Sequence, residues 1–281
     1  MSVAEFHYHI PWRAKGAQPG HHPGMQSGGG FEFNGLVPFA SQPDPRNLDI
    51  RAMIADPHQQ LMVKSFRQRA AIPVYLLADL SASMGFIGKT VKTALLAEFA
   101  AATAWSAWRT GDPFGLYACD EGIHWDISLP LRLHKGLSDE LHNRLMHFQP
   151  KSNNADSLLE AASLLGKQRA LVFLVSDFHW PQAQMEELLN ALIRHDVVPV
   201  VCWDSGEYEN LPSFGLARMQ DPETGQRRLL FMRPALLNTI RERFETRKQE
   251  LMQICIRHGR EAFFLLDRFD PDALTQYFYH S

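Results

Sequence analysis

Read in order, the hydrophobic and polar positions of the chain change character near residue 72. Before it, turn-forming residues dominate. HHPGMQSGGGFEFNG (21–35) and SQPDPRNLD (41–49) are rich in Gly, Pro, Asn and Asp, the composition of turns and irregular backbone. Only FEF and LVPF offer short strand candidates there. The expectation is an irregular N-terminal arm, packed on a main domain and poorly ordered at its start. DIRAMIADPHQQLMVKSFRQR (49–69) then reads as short helical or extended pieces leading into that domain. The division falls at arm and lead-in 1–70, main domain 71–281.

After residue 72 the pattern is regular. PVYLLAD (73–79), ALVFLVSD (170–177) and VVPVVCW (197–203) are continuous apolar runs, as expected of strands buried on both faces. EAFFLLD (261–267) is a further strand. FGLYAC (114–119) and IHWDISL (123–129) read as a hairpin joined by Asp120, Glu121 and Gly122. Residues 90–109, 137–147, 156–166 and 185–195 read as helices, the first being rich in Ala and Leu and stopped by Gly111 and Pro113. Residues 204–226 read as a polar loop and RLLFM (228–232) as a strand candidate. Pro234 opens a long helix that Gly259 closes. Its apolar face holds Leu237, Ile240, Phe244, Leu251 and Cys255, and its Arg and Lys residues read as a solvated face. PDALTQYF (271–278) is the last helix. Strands alternating with helices predict an α/β fold: an open, mostly parallel sheet with helices on both faces.

Composition narrows the function classes. A net charge of -3 gives no support to bulk nucleic-acid binding, which shows as a strongly basic domain. The three cysteines, Cys119, Cys202 and Cys255, lie far apart, without CxxC or zinc-ligand spacing. They read as small buried hydrophobes in a reducing compartment. MSVAEFHYHIPWRAK lacks the apolar core of a secretory signal, and no run of about 18 apolar residues suggests a membrane helix. The expected location is the cytoplasm.

The candidate chemistry sits where two strands end. DLSAS places Asp79, Ser81 and Ser83 at alternate positions after one buried strand, and Asp177 ends another. Ligands of open α/β sheets bind outside the carboxyl ends of the strands. A carboxylate with two hydroxyls suits a hard cation such as Mg²⁺, with Mn²⁺ or Ca²⁺ as alternatives. The plainer reading of Asp79 and the serines is helix capping or turn formation. The second strand-ending aspartate favours the metal. GFIGKT (85–90) resembles the end of a phosphate-binding loop, but Ser83 stands where GxxxxGK[ST] needs its first Gly. No GxSxG surrounds the serines. His7, His9, His21 and His22 read as surface histidines, and His179 as a loop residue near the site.

These residues carry a resemblance. DLSAS with a downstream SD resembles the metal-ion-dependent adhesion site of von Willebrand factor A domains. FRQRAAIPVYLLADLSASM (66–84) and WDSGEYENLPSFGLARMQDPETG (203–225) resemble the MoxR-associated family known as domain of unknown function 58, over roughly residues 25–280. Within it, HYHIPWRAKGAQPGHHPG is most similar to the MxaS subgroup of methanol-oxidation gene clusters. The resemblance implies a von Willebrand A (Rossmann-like) fold working beside a MoxR-type AAA+ ATPase, as a chaperone in maturation of, or metal insertion into, a client enzyme. For that subgroup the client is methanol dehydrogenase. It also implies the metal ligands Asp79, Ser81, Ser83 and Asp177, with a partner carboxylate completing the coordination. The family's Gly-Gly-Thr-Asp segment is replaced by KSNNADSLLEA (151–161). Counting back from the helix puts Asn153 in the threonine's place, or Ser152 if the loop shifts by one. The expected function is therefore a non-enzymatic, metal-dependent docking module. A metal-assisted hydrolase, with His179 as base, and a scaffold with a lapsed metal site are the alternatives.

Overall fold

The computed structural model describes residues 3–15, 18–28, 32–58, 60–152, 154–207, 214–220 and 227–280. They form two compact units, Ile10–Ile72 and Met1–His9 with Pro73–Ser281.

The Ile10–Ile72 unit is a three-stranded antiparallel sheet. It contains β1 (Pro19–Gly28), β2 (Glu32–Pro38), the short helix α1 (Ile50–Ala55) and β3 (Met62–Ala70), with β3 in the middle. Asp49 caps α1 by accepting from the Ala52 N–H at 3.0 Å. The irregular arm expected here is thus a sheet. Its glycines and prolines mislead because β1 is a bulged edge strand, with register shifts between Pro19 and His22 and between Pro23 and Ser27. Gly24 permits the close approach: a Cβ there would lie 2.2 Å from the Gln68 carbonyl oxygen.

In the other unit Phe6 anchors the segment that precedes residue 10. Phe6 is buried, its N–H donates to Ser106 Oγ at 3.0 Å, and its ring packs on Phe99 and Phe173. The elements then run β4 (Val74–Asp79), α2 (Lys92–Thr110), β5 (Phe114–Cys119), β6 (Leu129–Arg132), α3 (Leu137–Met146), α4 (Ser157–Leu164), β7 (Leu171–Ser176), α5 (Gln182–Ala191), β8 (Asp196–Trp203), β9 (Gly215–Gln220), β10 (Arg227–Met232), α6 (Pro234–Arg257), β11 (Phe263–Leu266) and α7 (Pro271–His280).

Six strands form the main sheet in the order β11-β8-β7-β4-β5-β6. All pairs are parallel except β5 with the edge strand β6. Every residue of β4 and β7 is buried, which explains their unbroken apolar runs. Alternate side chains feed two cores. Tyr75, Leu77, Val172 and Leu174 pack with residues of α4, α5 and α6. On the other face Phe173 meets Phe99 of α2 and Phe278 of α7. The result is the expected α/β class, a Rossmann-like, mostly parallel sheet with helices on both faces. Among the described residues no helix is long and apolar enough to cross a membrane.

Two local expectations differ. IHWDISL contributes Leu129 to a strand and Ile123 to an isolated antiparallel bridge with Cys119, while Ser128 Oγ accepts the Ala118 N–H at 3.0 Å and Asp120 Oδ1 accepts that of Gly122. The expected loop 204–226 contains β9, which pairs antiparallel with β10 in a separate hairpin.

Candidate metal centre

The strand order places β4 and β7 side by side at the centre of the sheet. From β4 the chain moves outward to β5 and β6; from β7 it moves the other way, to β8 and β11. The crevice beyond this reversal is where such sheets bind ligands. Asp79 is the last residue of β4, and Asp177 follows the last residue of β7.

The loop after β4 turns its oxygens inward. Asp79 Oδ1 accepts the Ser81 N–H at 2.8 Å, which bends the chain back on itself. The Ser81 and Ser83 hydroxyl oxygens then lie 3.2 Å apart, both side chains buried. Asp79 Oδ2 accepts from Ser176 Oγ at 2.6 Å and from the Trp180 indole at 3.1 Å. The Phe178 N–H donates to Ser176 Oγ at 2.8 Å, and Phe178 itself takes a φ of 53°. That left-handed conformation is uncommon for a bulky residue and marks a tightly determined loop. Burial pushes the Asp79 carboxyl up to about 6, with the nearby Asp177 charge adding to it.

Asp177 differs. Its Oδ2 lies 3.0 Å from the Lys92 ammonium and 3.1 Å from His179 Nδ1, and its Oδ1 accepts the His179 N–H at 3.3 Å. Burial alone would raise its carboxyl; His179 and Lys92 hold it well below the usual carboxylate range. Lys92 and Asp177 are both fully buried.

The residue set can be tested against a hard cation. The Ser152 backbone carbonyl accepts the Ala82 N–H at 2.6 Å, so Ser152 abuts the DLSAS loop. Ser152 Oγ and Asn154 Oδ1 are buried and have no hydrogen-bond partner among the described residues. Buried oxygens without partners are rare in folded proteins and ask for an explanation such as an ion or a water. Asp79, Ser81, Ser83 and Ser152 therefore fit an oxygen-seeking cation. Asn153, the other candidate for the threonine position, lies outside the described residues. Asp177 is brought to the site, but its contacts are already taken up by Lys92 and His179.

Residues 47–253 match the family described as protein of unknown function DUF58. The chain belongs to that family. It is 36% identical, over 95 residues, to a Paracoccus denitrificans protein described as an uncharacterized protein in the moxR 3′ region; the match covers 34% of this chain and 90% of that one. Among solved structures it is similar to BatB from Bacteroides thetaiotaomicron (14% identical, TM-score 0.47, covering 75% of this chain and 98% of that one). It is also similar to an aerotolerance-related membrane protein from Bacteroides fragilis (12% identical, TM-score 0.40, covering 75% and 100%).

In this DUF58 member a third strand-ending aspartate, passed over in the sequence, shapes the site. Asp204 follows β8 and accepts the N–H groups of Lys89, Thr90 and Gly206 at 3.0, 2.8 and 2.7 Å, and the Thr90 hydroxyl at 3.0 Å. GFIGKT is thus a loop whose amides hold a carboxylate of the protein itself. Gly88 is required by that contact, since a Cβ there would lie 2.2 Å from Asp204 Oδ1. The signal was available in the sequence: VVPVVCWD ends in an aspartate as VYLLAD does.

Among the other sequence candidates, Cys119 lies opposite Asp79 in the β4–β5 pairing. Among the described residues no group of three or more His, Cys, Asp or Glu stands together as a metal cluster. His22, expected at the surface, is buried, whereas His7, His9 and His21 are exposed. Cys119, Cys202 and Cys255 are free and buried, and burial pushes the Cys119 and Cys255 thiols up to about 12. Residues 208–213 and 221–225 of the second family stretch lie outside the described residues.

Proposed function

We propose that this protein is a non-enzymatic docking module that works with a MoxR-type AAA+ ATPase in the maturation of a client enzyme, and that it engages its partner through a divalent cation, Mg²⁺ in the first instance, at the ends of β4 and β7. One observation carries the reading. The Ser81 and Ser83 hydroxyls converge beside Asp79 at the switch point of the sheet, in a loop that Ser152, whose side-chain oxygen is buried without a hydrogen-bond partner among the described residues, contacts through its backbone carbonyl.

The chain's own residues define what the site does. Ser176 and Trp180 hold one carboxylate oxygen of Asp79 and leave the other facing the serines. Asp204 fixes the backbone of the neighbouring 88–90 loop. When bound, the ion supplies positive charge and a coordination position that an acidic side chain from a partner can fill. Hydroxyls are neutral ligands, so they leave most of that charge uncompensated. The ATPase enters through the relative named for its place beside moxR. Methanol dehydrogenase is the client that the MxaS likeness suggests, and the cytoplasm is the compartment we assign.

The test is direct. The purified chain is measured for binding to the MoxR-type ATPase of the same organism, in Mg²⁺ and in EDTA. Binding that requires Mg²⁺ and is lost in Asp79→Ala supports the reading; equal binding in both conditions rejects the ion bridge.

A metal-assisted hydrolase is favoured by a different observation, the Asp177–His179 pair, in which a partly exposed imidazole is oriented by a buried carboxylate. Metal-dependent phosphoester turnover by the purified chain, lost in His179→Asn, would select it.

A further inference from the structure

Lys92 is the first residue of α2, and its side chain is fully buried. The ammonium lies 3.0 Å from Asp177 Oδ2 and 5.7 Å from the centre of the Phe86 ring. Burying an ammonium is costly unless it is paired, and the packing of an Ala- and Leu-rich helix does not call for one. The charge therefore needs a reason in the site.

The two strand-end carboxylates are treated unequally. Asp79 meets neutral donors: the Ser81 N–H, the Ser176 hydroxyl and the Trp180 indole. Asp177 meets a cation. A carboxylate offers about four acceptor positions. The Lys92 ammonium, the His179 ring and the His179 N–H occupy three of those on Asp177. An incoming ion would thus find Asp177 both sterically engaged and electrically neutralised.

We propose that Lys92 is the residue that sets the divalent-ion affinity of this site: a built-in counter-ion that takes up the charge of Asp177, so that an ion held by Asp79, Ser81, Ser83 and Ser152 meets one uncompensated carboxylate instead of two. The inference rests on the cation-site reading above. Lys92 touches no ion itself and acts through its positive charge, which offsets that of Asp177 at the site. Affinities of oxygen-ligand sites follow the number of charged ligands. With one such ligand the chain alone holds the ion weakly, and the ion keeps surplus positive charge. An acidic group supplied from outside then adds the missing charge, which makes ion binding and partner binding mutually dependent.

The experiment is calorimetric titration of the full chain with MnCl₂, with the fold of each variant checked by circular dichroism. Lys92→Met is expected to bind Mn²⁺ at least about tenfold more tightly than wild type, because a unit positive charge close to the ion has been removed. Folded Lys92→Met that binds no tighter overturns the inference while leaving the cation site in place. Because Lys92→Met strands a buried carboxylate, a second comparison stands independently. Asp177→Asn keeps the ammonium without its partner, and Lys92→Met/Asp177→Asn removes both charges. The double variant is expected to bind Mn²⁺ at least about tenfold more tightly than Asp177→Asn; equal affinities overturn the inference. Binding in Lys92→Met but not in wild type upholds the inference and rejects ion-bridged docking by the native chain. Absence of binding in every variant overturns both.

Discussion

Ser176 Oγ donates to Asp79 Oδ2 at 2.6 Å and joins the ends of the two central strands across the switch point of the sheet. The same oxygen accepts the Phe178 N–H at 2.8 Å, so a single hydroxyl holds both the carboxylate and the turn that follows β7. Ser176→Ala leaves a buried carboxylate short of a donor and a buried N–H without its acceptor. Each such loss costs about 1–3 kcal/mol. Urea denaturation should show a destabilisation of about 2–4 kcal/mol with an unchanged slope. A loss below about 0.5 kcal/mol would show that the hydroxyl is not holding these groups.

The Lys92–Asp177 pair makes a second prediction, about stability. Removing one member of a buried ion pair strands the other, at a cost of about 3–5 kcal/mol, whereas replacing both is often close to neutral. Lys92→Met should therefore be strongly destabilised, and Lys92→Met/Asp177→Asn should recover most of the loss. The double-mutant cycle checks this through its coupling energy; additive losses would contradict a shared role.

Much of this site was legible in the sequence. The apolar runs ending in Asp79 and Asp177 fixed two strands and the edge at which their carboxylates emerge. The alternation of Asp79, Ser81 and Ser83 indicated convergent oxygens, and Ser152 was one of two alternatives for the third segment. Lys92 was not legible. In TVKTALLAEF it reads as an ordinary first-turn helix residue, and only the tertiary fold carries its ammonium to Asp177. Asp204 was missed because its role depends on a loop more than 100 residues earlier in the chain. The sheet of Ile10–Ile72 was hidden by glycines and prolines, which serve there for bulges and close strand contact as well as for turns.

Asp204 yields a third prediction. Burial works against its ionisation, yet the N–H groups of Thr90, Lys89 and Gly206 hold its carboxyl below the usual range. A depressed folded-state carboxyl contributes stability that is present above its unfolded value of 3.8 and is lost as pH falls through the folded value. Asp204→Asn should lower the stability at pH 7 and flatten the acid limb below pH 4. Hydrogen exchange should show faster exchange at the Lys89 and Thr90 amides. Unchanged protection there would separate Asp204 from the loop.

His195 supplies a pH dependence of opposite origin. Its Nδ1 accepts the Ala170 N–H at 3.3 Å, which requires a neutral ring. Burial first, then Arg169 and Arg194, lowers its pKa from 6.5. The unfolded chain therefore takes up a proton that the folded chain resists, and the His195 contribution is complete above pH 6.5 and declines as pH falls below it. Thermal unfolding from pH 7.5 to 5 should show a smaller loss of Tm in His195→Gln than in wild type. Parallel losses would assign the acid sensitivity to other groups.

The central claim is that a divalent ion belongs on the oxygens at the end of β4. Crystals grown with MnCl₂, measured at a wavelength where manganese scatters anomalously, test it most directly. The account predicts an anomalous peak in contact with Asp79, Ser81 and Ser83, beside Ser152, and its absence in Asp79→Ala crystals. A manganese-free site in wild-type crystals, with the ion elsewhere or nowhere, would contradict it.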